Sequence, residues 1–233
     1  MERELTFTIG LSIARVSAIL VEPPRARWLY VMAHGAGAGM RHPFLERMSA
    51  ELAKREVGTF RYQFPYMQAG EGRPDPPPVL EATVQAAVST AGRLIFGVPL
   101  LAGGKSLGGR MTSQIAAHEF LPGVRGLVFL GFPLHAPKRP SDKRAIHLEQ
   151  VPLPMLFLQG TRDALADLSL LRPVCERLAP SATLHVVEGG DHSFKVLKRS
   201  GRTEAQVFDE LADTIVEWAD ALLRPAARRI SRP

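Results

Sequence analysis

A mostly parallel α/β sheet with helices on both faces is the fold the sequence predicts, and three observations carry it. Short apolar runs of strand composition alternate with longer segments of helical periodicity along the 233 residues. One run, Trp28 to Ala33 (WLYVMA), is apolar at every position, as a strand buried on both faces must be. Helical crossovers between such runs join parallel strands and lay helices on both sides of the sheet.

The elements follow in order. Residues 5 to 21, rich in β-branched side chains and broken near Gly10, read as two short strands in a hairpin-like arrangement. The strand from Trp28 stops at His34 and a glycine-rich turn. Pro43 to Val57 puts Phe44, Met48, Leu52 with Ala53, and then Val57 on one helical face, with Gly58 as the stop, and residues 58 to 62 (GTFRY) read as a strand. Pro65 to Pro78 holds five prolines and three charged residues among glycines, which predicts an irregular surface loop. Helical spacing returns from Val79 to Ile95, and Pro99 to Ala102 is the core of a short buried strand. Residues 106 to 119 have helical composition. Val124 to Leu130, Met155 to Leu158 with its flanks, and Ala182 to Val187 read as strands, with helices over Asp167 to Leu178 and Thr203 to Leu223. This makes about eight strands in a single domain, 1–223, followed by a basic tail, 224–233. The stretch between Gly131 and Met155 is too short for a sizeable lid domain.

Composition removes several classes. Hydrophobic residues at 45% and charged residues at 22% are ordinary globular usage, which excludes disorder, collagen and coiled coil. A single cysteine, Cys175, forbids an intrachain disulfide, so a reducing, cytoplasmic setting is expected. Its helix face, shared with Leu168, Leu171 and Leu178, predicts a buried hydrophobe. No run approaches the roughly 20 apolar residues that span a bilayer, and MERELTFTIG lacks the apolar stretch of a signal peptide. A soluble protein without a membrane partner is expected. The net charge of +6 invites a nucleic-acid reading, but Arg224, Arg228, Arg229 and Arg232 supply four of the positive charges. Without them the chain is close to neutral, so the tail reads as a solvated terminus and nucleic acid is not the expected partner.

The chemistry gathers at one edge. Gly104-Lys105-Ser106-Leu107-Gly108 is a G-x-S-x-G motif after a buried strand and before a helix, a turn that forces a serine out of the sheet. The helix beginning there aims free N–H groups at the site, so that of Leu107 is a candidate oxyanion donor. A serine hydroxyl needs a base, and the base a carboxylate. His192 in GGDHSF and Asp163 in QGTRD each follow a strand, and strand ends of a parallel sheet share the edge where open α/β sheets bind ligands. Asp191 and, more remotely, Asp142 are the other carboxylates considered. The loop His34-Gly35-Ala36-Gly37 offers the second donor, Ala36 or Gly37, while the His34 side chain is expected to brace that loop. Tyr66, Met67, Lys105, Phe132, Leu134, His135 and Phe194 lie just past strand ends and are candidates for the substrate pocket, although half of them would serve equally as core. Lys105, Arg110 and Arg61 suit either an anionic substrate or structural ion pairs.

Competing motifs fail. A phosphate-binding G-x-x-x-x-G-K-[ST] loop would need glycine where Pro99 stands, and G-x-G-x-x-G fails at Met40. His42, His118, His135, His147 and His185 have no metal-ligand spacing, so neither a metal nor another cofactor is expected.

HGAGAG, FRYQFPY, GGKSLGGRM, GFPLH, LQGTRD and GGDHSF, in that order over residues 34 to 194, resemble the α/β-hydrolase superfamily, and within it the dienelactone-hydrolase-like branch of small serine hydrolases. The resemblance implies an eight-stranded sheet whose second strand is antiparallel, and a triad of Ser106, Asp163 and His192. A dienelactone hydrolase proper has cysteine where this chain has Ser106, so lactone specificity does not transfer. The expected function is hydrolysis of a small ester, thioester or related acyl substrate through an acyl-enzyme. The competing class is a non-catalytic binding or scaffold protein on the same fold.

Overall fold

A computed structural model describes residues 1–10 and 14–224. The basic tail beyond Arg224 lies outside the described residues. Eight strands form one sheet: β1 (Glu2–Thr8), β2 (Arg15–Val21), β3 (Trp28–Ala33), β4 (Val57–Tyr62), β5 (Leu100–Lys105), β6 (Val124–Leu130), β7 (Met155–Gly160) and β8 (Ala182–Val187). Their spatial order is β1-β2-β4-β3-β5-β6-β7-β8. β2 runs antiparallel to both of its neighbours and every other pairing is parallel, as the resemblance implied.

β3 shows why the sheet needs cover on both faces. Its six residues are all buried, and they alternate: Trp28, Tyr30 and Met32 enter one apolar cluster, Leu29, Val31 and Ala33 the other. The first cluster lies under α1 (Pro43–Lys54) and α6 (Glu204–Leu222), through Leu45, Met48, Leu52, Val207, Leu211 and Ile215. The second lies under α3 (Pro77–Leu94), α4 (Leu107–Ala116) and α5 (Leu168–Arg177). Cys175 is buried there, and burial pushes its thiol up to about 11.

Two expectations need correction. The helix from Pro43 ends at Lys54, and Val57 with Gly58 opens β4 instead of closing the helix. Gly58 is required by close approach: a Cβ there would stand 3.1 Å from the Val21 carbonyl oxygen and from a Leu29 methyl. The supposed loop from Pro65 to Pro78 contains α2 (Pro65–Gln68) and the first turn of α3. Pro65 and Pro77 occupy first-turn positions, where a missing N–H costs nothing. Between β6 and β7 the chain forms a 3-10 helix, Lys143–Gln150, and no separate lid. No helix among the described residues is long and apolar enough to cross a membrane.

Candidate active site

β5 ends at Lys105, α4 starts at Leu107, and Ser106 takes the whole turn with φ +50° and ψ −116°. Side-chain-bearing residues rarely adopt that conformation, and it lifts the hydroxyl clear of the sheet. The glycines beside it let the turn lie against β3. A Cβ on Gly104, at φ +139°, would stand 2.1 Å from the Ala33 carbonyl oxygen, and one on Gly108 would stand 2.6 Å from the Ala33 Cβ.

His192 and Asp163 arrive from the loops after β8 and β7. His192 Nε2 lies 2.9 Å from Ser106 Oγ, and His192 Nδ1 lies 2.7 Å from Asp163 Oδ2. Asp163 is buried and accepts a second bond from the Leu165 N–H at 2.8 Å and a third from the Gln159 side-chain amide. A carboxylate surrounded by donors makes Nδ1 the protonated nitrogen, so Nε2 is left to accept the Ser106 proton. Asp191 has a different task. Its Oδ1 accepts the N–H groups of Ser193 and Lys195, which ties the turn carrying His192. Asp142 is exposed at the start of the 3-10 helix, away from this line.

The loop after β3 is tied to the end of β4. Buried His34 lies with Nδ1 2.8 Å from the Gly35 carbonyl oxygen, and Nε2 accepts the Phe64 N–H at 3.1 Å. Burial pushes this imidazole down to about 4, which suits a neutral brace. Gln63 Oε1 accepts the Met40 N–H, and the Arg61 guanidinium donates to the Met40 carbonyl. Tyr66 contributes its hydroxyl, which accepts the Gly37 N–H at 3.1 Å. Of the two proposed loop donors, Gly37 is therefore occupied, while Ala36 is exposed and beside Gly35, whose Cβ position lies 3.6 Å from Ser106 Cβ. Leu107, at the first position of α4, has no intrahelical acceptor for its N–H. The bracing roles of Gln63 and Tyr66 went unread, although FRYQFPY places both just past a strand end.

The candidate pocket residues separate. Phe132 packs on Phe129 and Phe157, Leu134 is fully buried, and Phe194 stacks on Phe44 at 5.8 Å between ring centres. His135 Nδ1 faces the Ala136 carbonyl and Nε2 accepts the Asp167 N–H. These four show almost no surface to a ligand, so they are core or bracing residues, as is the Tyr66 ring. Met67 is half-buried, and its methyl lies 3.5 Å from the Cβ position of Gly39, in the loop after β3. The three cations do not converge. Arg61 is buried and faces Glu2 and Glu46, Arg110 faces Arg144 and His147, and Lys105 is buried beside Gly131, which His192 also approaches.

A second serine and histidine meet at Ser113 and His147, with 2.8 Å between Oγ and Nε2. Ser113 Oγ already donates to the Arg110 carbonyl, so His147 must donate to it and cannot act as its base. Burial and then the Arg110 charge push His147 down to about 4, and no carboxylate supports it.

A family model described as an alpha/beta hydrolase domain matches residues 26–220. Among solved structures, dienelactone hydrolase from Anabaena variabilis superposes with a TM-score of 0.74 at 19% identity, covering 96% of this chain and 99% of that one. A serine hydrolase without lid from Xanthomonas campestris gives 0.73 at 16% identity, with 97% of each chain covered. The esterase domain of a Rhodothermus marinus protein gives 0.71 at 14% identity, covering 95% and 98%. At such identities these likenesses establish the shared fold.

Proposed function

The chain belongs to the α/β-hydrolase domain family, and from that premise we propose that it is a serine hydrolase cleaving a small ester, thioester or related acyl substrate. The observation that carries the reading is the unbroken hydrogen-bonded line from Asp163 through His192 to Ser106, set on a strained turn. Ser106 Oγ attacks the acyl carbon while His192 Nε2 takes its proton. Leu107 and Ala36 N–H groups bind the oxyanion, and the proton then passes from His192 to the departing alcohol or thiol. Water, activated by the same imidazole, releases the acid and restores Ser106. Asp163 keeps Nδ1 protonated and stabilises the imidazolium without taking its proton. No cofactor enters these steps. A small substrate in a cytoplasmic setting fits a site that no lid domain covers and whose oxyanion loop is exposed.

Fluorophosphonate labelling followed by intact mass tests the proposal. One adduct is expected on wild type and on Ser113→Ala, and none on Ser106→Ala or His192→Ala. A folded wild-type protein that takes no adduct would favour the scaffold class, and an adduct that persists on Ser106→Ala would place the nucleophile elsewhere.

A further inference from the structure

Beside Gly131, which the catalytic histidine also approaches, lies a cation that the hydrolytic steps leave unused. Lys105 precedes the nucleophile and is 9% exposed, and its Nζ is buried without a hydrogen-bond partner. The ammonium sits 5.9 Å from the Phe44 ring centre and 6.0 Å from that of Phe194, two rings stacked on one another. Its other wall is Gly131, at φ +71°. A Cβ on Gly131 would stand 3.1 Å from Lys105 Nζ, 3.4 Å from His192 Cε1 and 3.3 Å from the His192 carbonyl oxygen. Ammonium and imidazole therefore flank the same bare backbone position. The charged groups facing this spot are His192 itself, Asp163 after β7 and Asp191 after β8, while α1 contributes only the Phe44 ring.

An unpaired buried ammonium is costly, and a methionine would fill the same volume beside the two aromatic rings at less expense. Its position gives it a use. Asp163 favours a proton on His192, whereas a positive charge across the Gly131 position from the ring opposes it, and only the unprotonated imidazole can accept the Ser106 proton. We propose that Lys105 is a positioning residue for the reaction: its buried ammonium acts on the Asp163–His192 pair to keep His192 in the form that serves as base at neutral pH. The proposal rests on the serine-hydrolase reading. Burial pushes the Lys105 amine down to about 8, with the Asp163 and Asp191 charges opposing that fall, so the ammonium is present through neutrality and fades in mild alkali.

The test is the fluorophosphonate labelling rate against pH, for wild type and Lys105→Met. Removing the charge should move the acid limb of the profile up by about one pH unit, which is about tenfold slower labelling on that limb. The two profiles should converge above about pH 9, where the wild-type amine is itself neutral. A purely structural Lys105 would lower the whole profile without moving its limb, and that result, or superimposable profiles, would overturn the proposal. A second measurement needs no variant. In wild-type protein carrying 13C-labelled histidine, the His192 Cε1–H resonance should show an inflection near pH 8 as Lys105 titrates, and its absence would equally overturn the proposal. Wild type that takes no label while that resonance shows the inflection would sink the hydrolase reading and leave the Lys105–His192 coupling standing.

Discussion

Replacing Ser106 with glycine should make the protein more stable than replacing it with alanine, although on the proposed reading neither variant turns over. Both substitutions remove the 2.9 Å contact with His192, so its loss cancels between them. What differs is the backbone. Ser106 holds φ +50° and ψ −116°, and alanine must hold the same angles. Such a conformation costs a residue with a Cβ about 1–3 kcal/mol, and glycine almost nothing. Against this, glycine loses about 0.5–1 kcal/mol more chain entropy on folding. Ser106→Gly should therefore exceed Ser106→Ala by about 0.5–2 kcal/mol, or about 1–8 °C in melting temperature for a chain of this size. Urea titrations at equal protein concentration, with matching m-values, measure it directly. A Ser106→Ala protein as stable as Ser106→Gly would refute the claim that the turn stores strain.

Two further outcomes follow from the braced loop. Tyr66→Phe leaves the Gly37 N–H without its acceptor, so stability should fall by about 1 kcal/mol and fluorophosphonate labelling by several-fold, read by urea titration and by labelling rate. His34 holds a folded value of about 4 against an ordinary 6.5, so the unfolded chain binds this proton first as pH falls. The stability it contributes is therefore complete above about pH 6.5 and is lost toward pH 4, a change of about 3 kcal/mol. Urea midpoints between pH 4 and 7 should slope less steeply in His34→Asn than in wild type, and parallel slopes would show that His34 is not the group responsible.

Much of the fold was legible because strand and helix periods differ and the chain keeps to them. WLYVMA could only be a strand with both faces covered, and the structure buries its alternate residues in two separate clusters. The boundary at Val57 was not legible, since Val57 stands four residues after Ala53 and so carries on the four-residue spacing of Phe44, Met48 and Leu52. Pairing with β2 and β3, from elsewhere in the chain, turns that segment into a strand, and Val21 and Leu29 there leave Gly58 no room for a side chain. At the site, the residues brought into line are those whose motifs carry backbone demands as well as side chains: glycines around Ser106, and turns after β7 and β8. The pocket was read poorly because residues past a strand end lose the two-fold alternation that separates inside from outside. Phe132, Leu134 and Phe194 follow strand ends as the site residues do, yet they turn inward. Cation placement was equally hidden, since whether Arg61 on β4 finds Glu2 on β1 and Glu46 on α1 depends on how those elements pack in three dimensions.

The contact between Ser106 and His192 joins residues 86 positions apart, and it has a consequence for the newborn chain. Synthesis at about 5–20 residues per second delivers the serine roughly 4–17 s before the histidine. During that interval the serine exists without a base, as inert as any other alcohol, whatever β3, β5 and α4 have already built around it. Reactivity arrives only when β8 joins the sheet and brings its following turn across. If the proposed function holds, a fluorophosphonate added to arrested chains of increasing length would thus report the docking of that last strand, making the Ser106–His192 contact a clock for the completion of its own sheet.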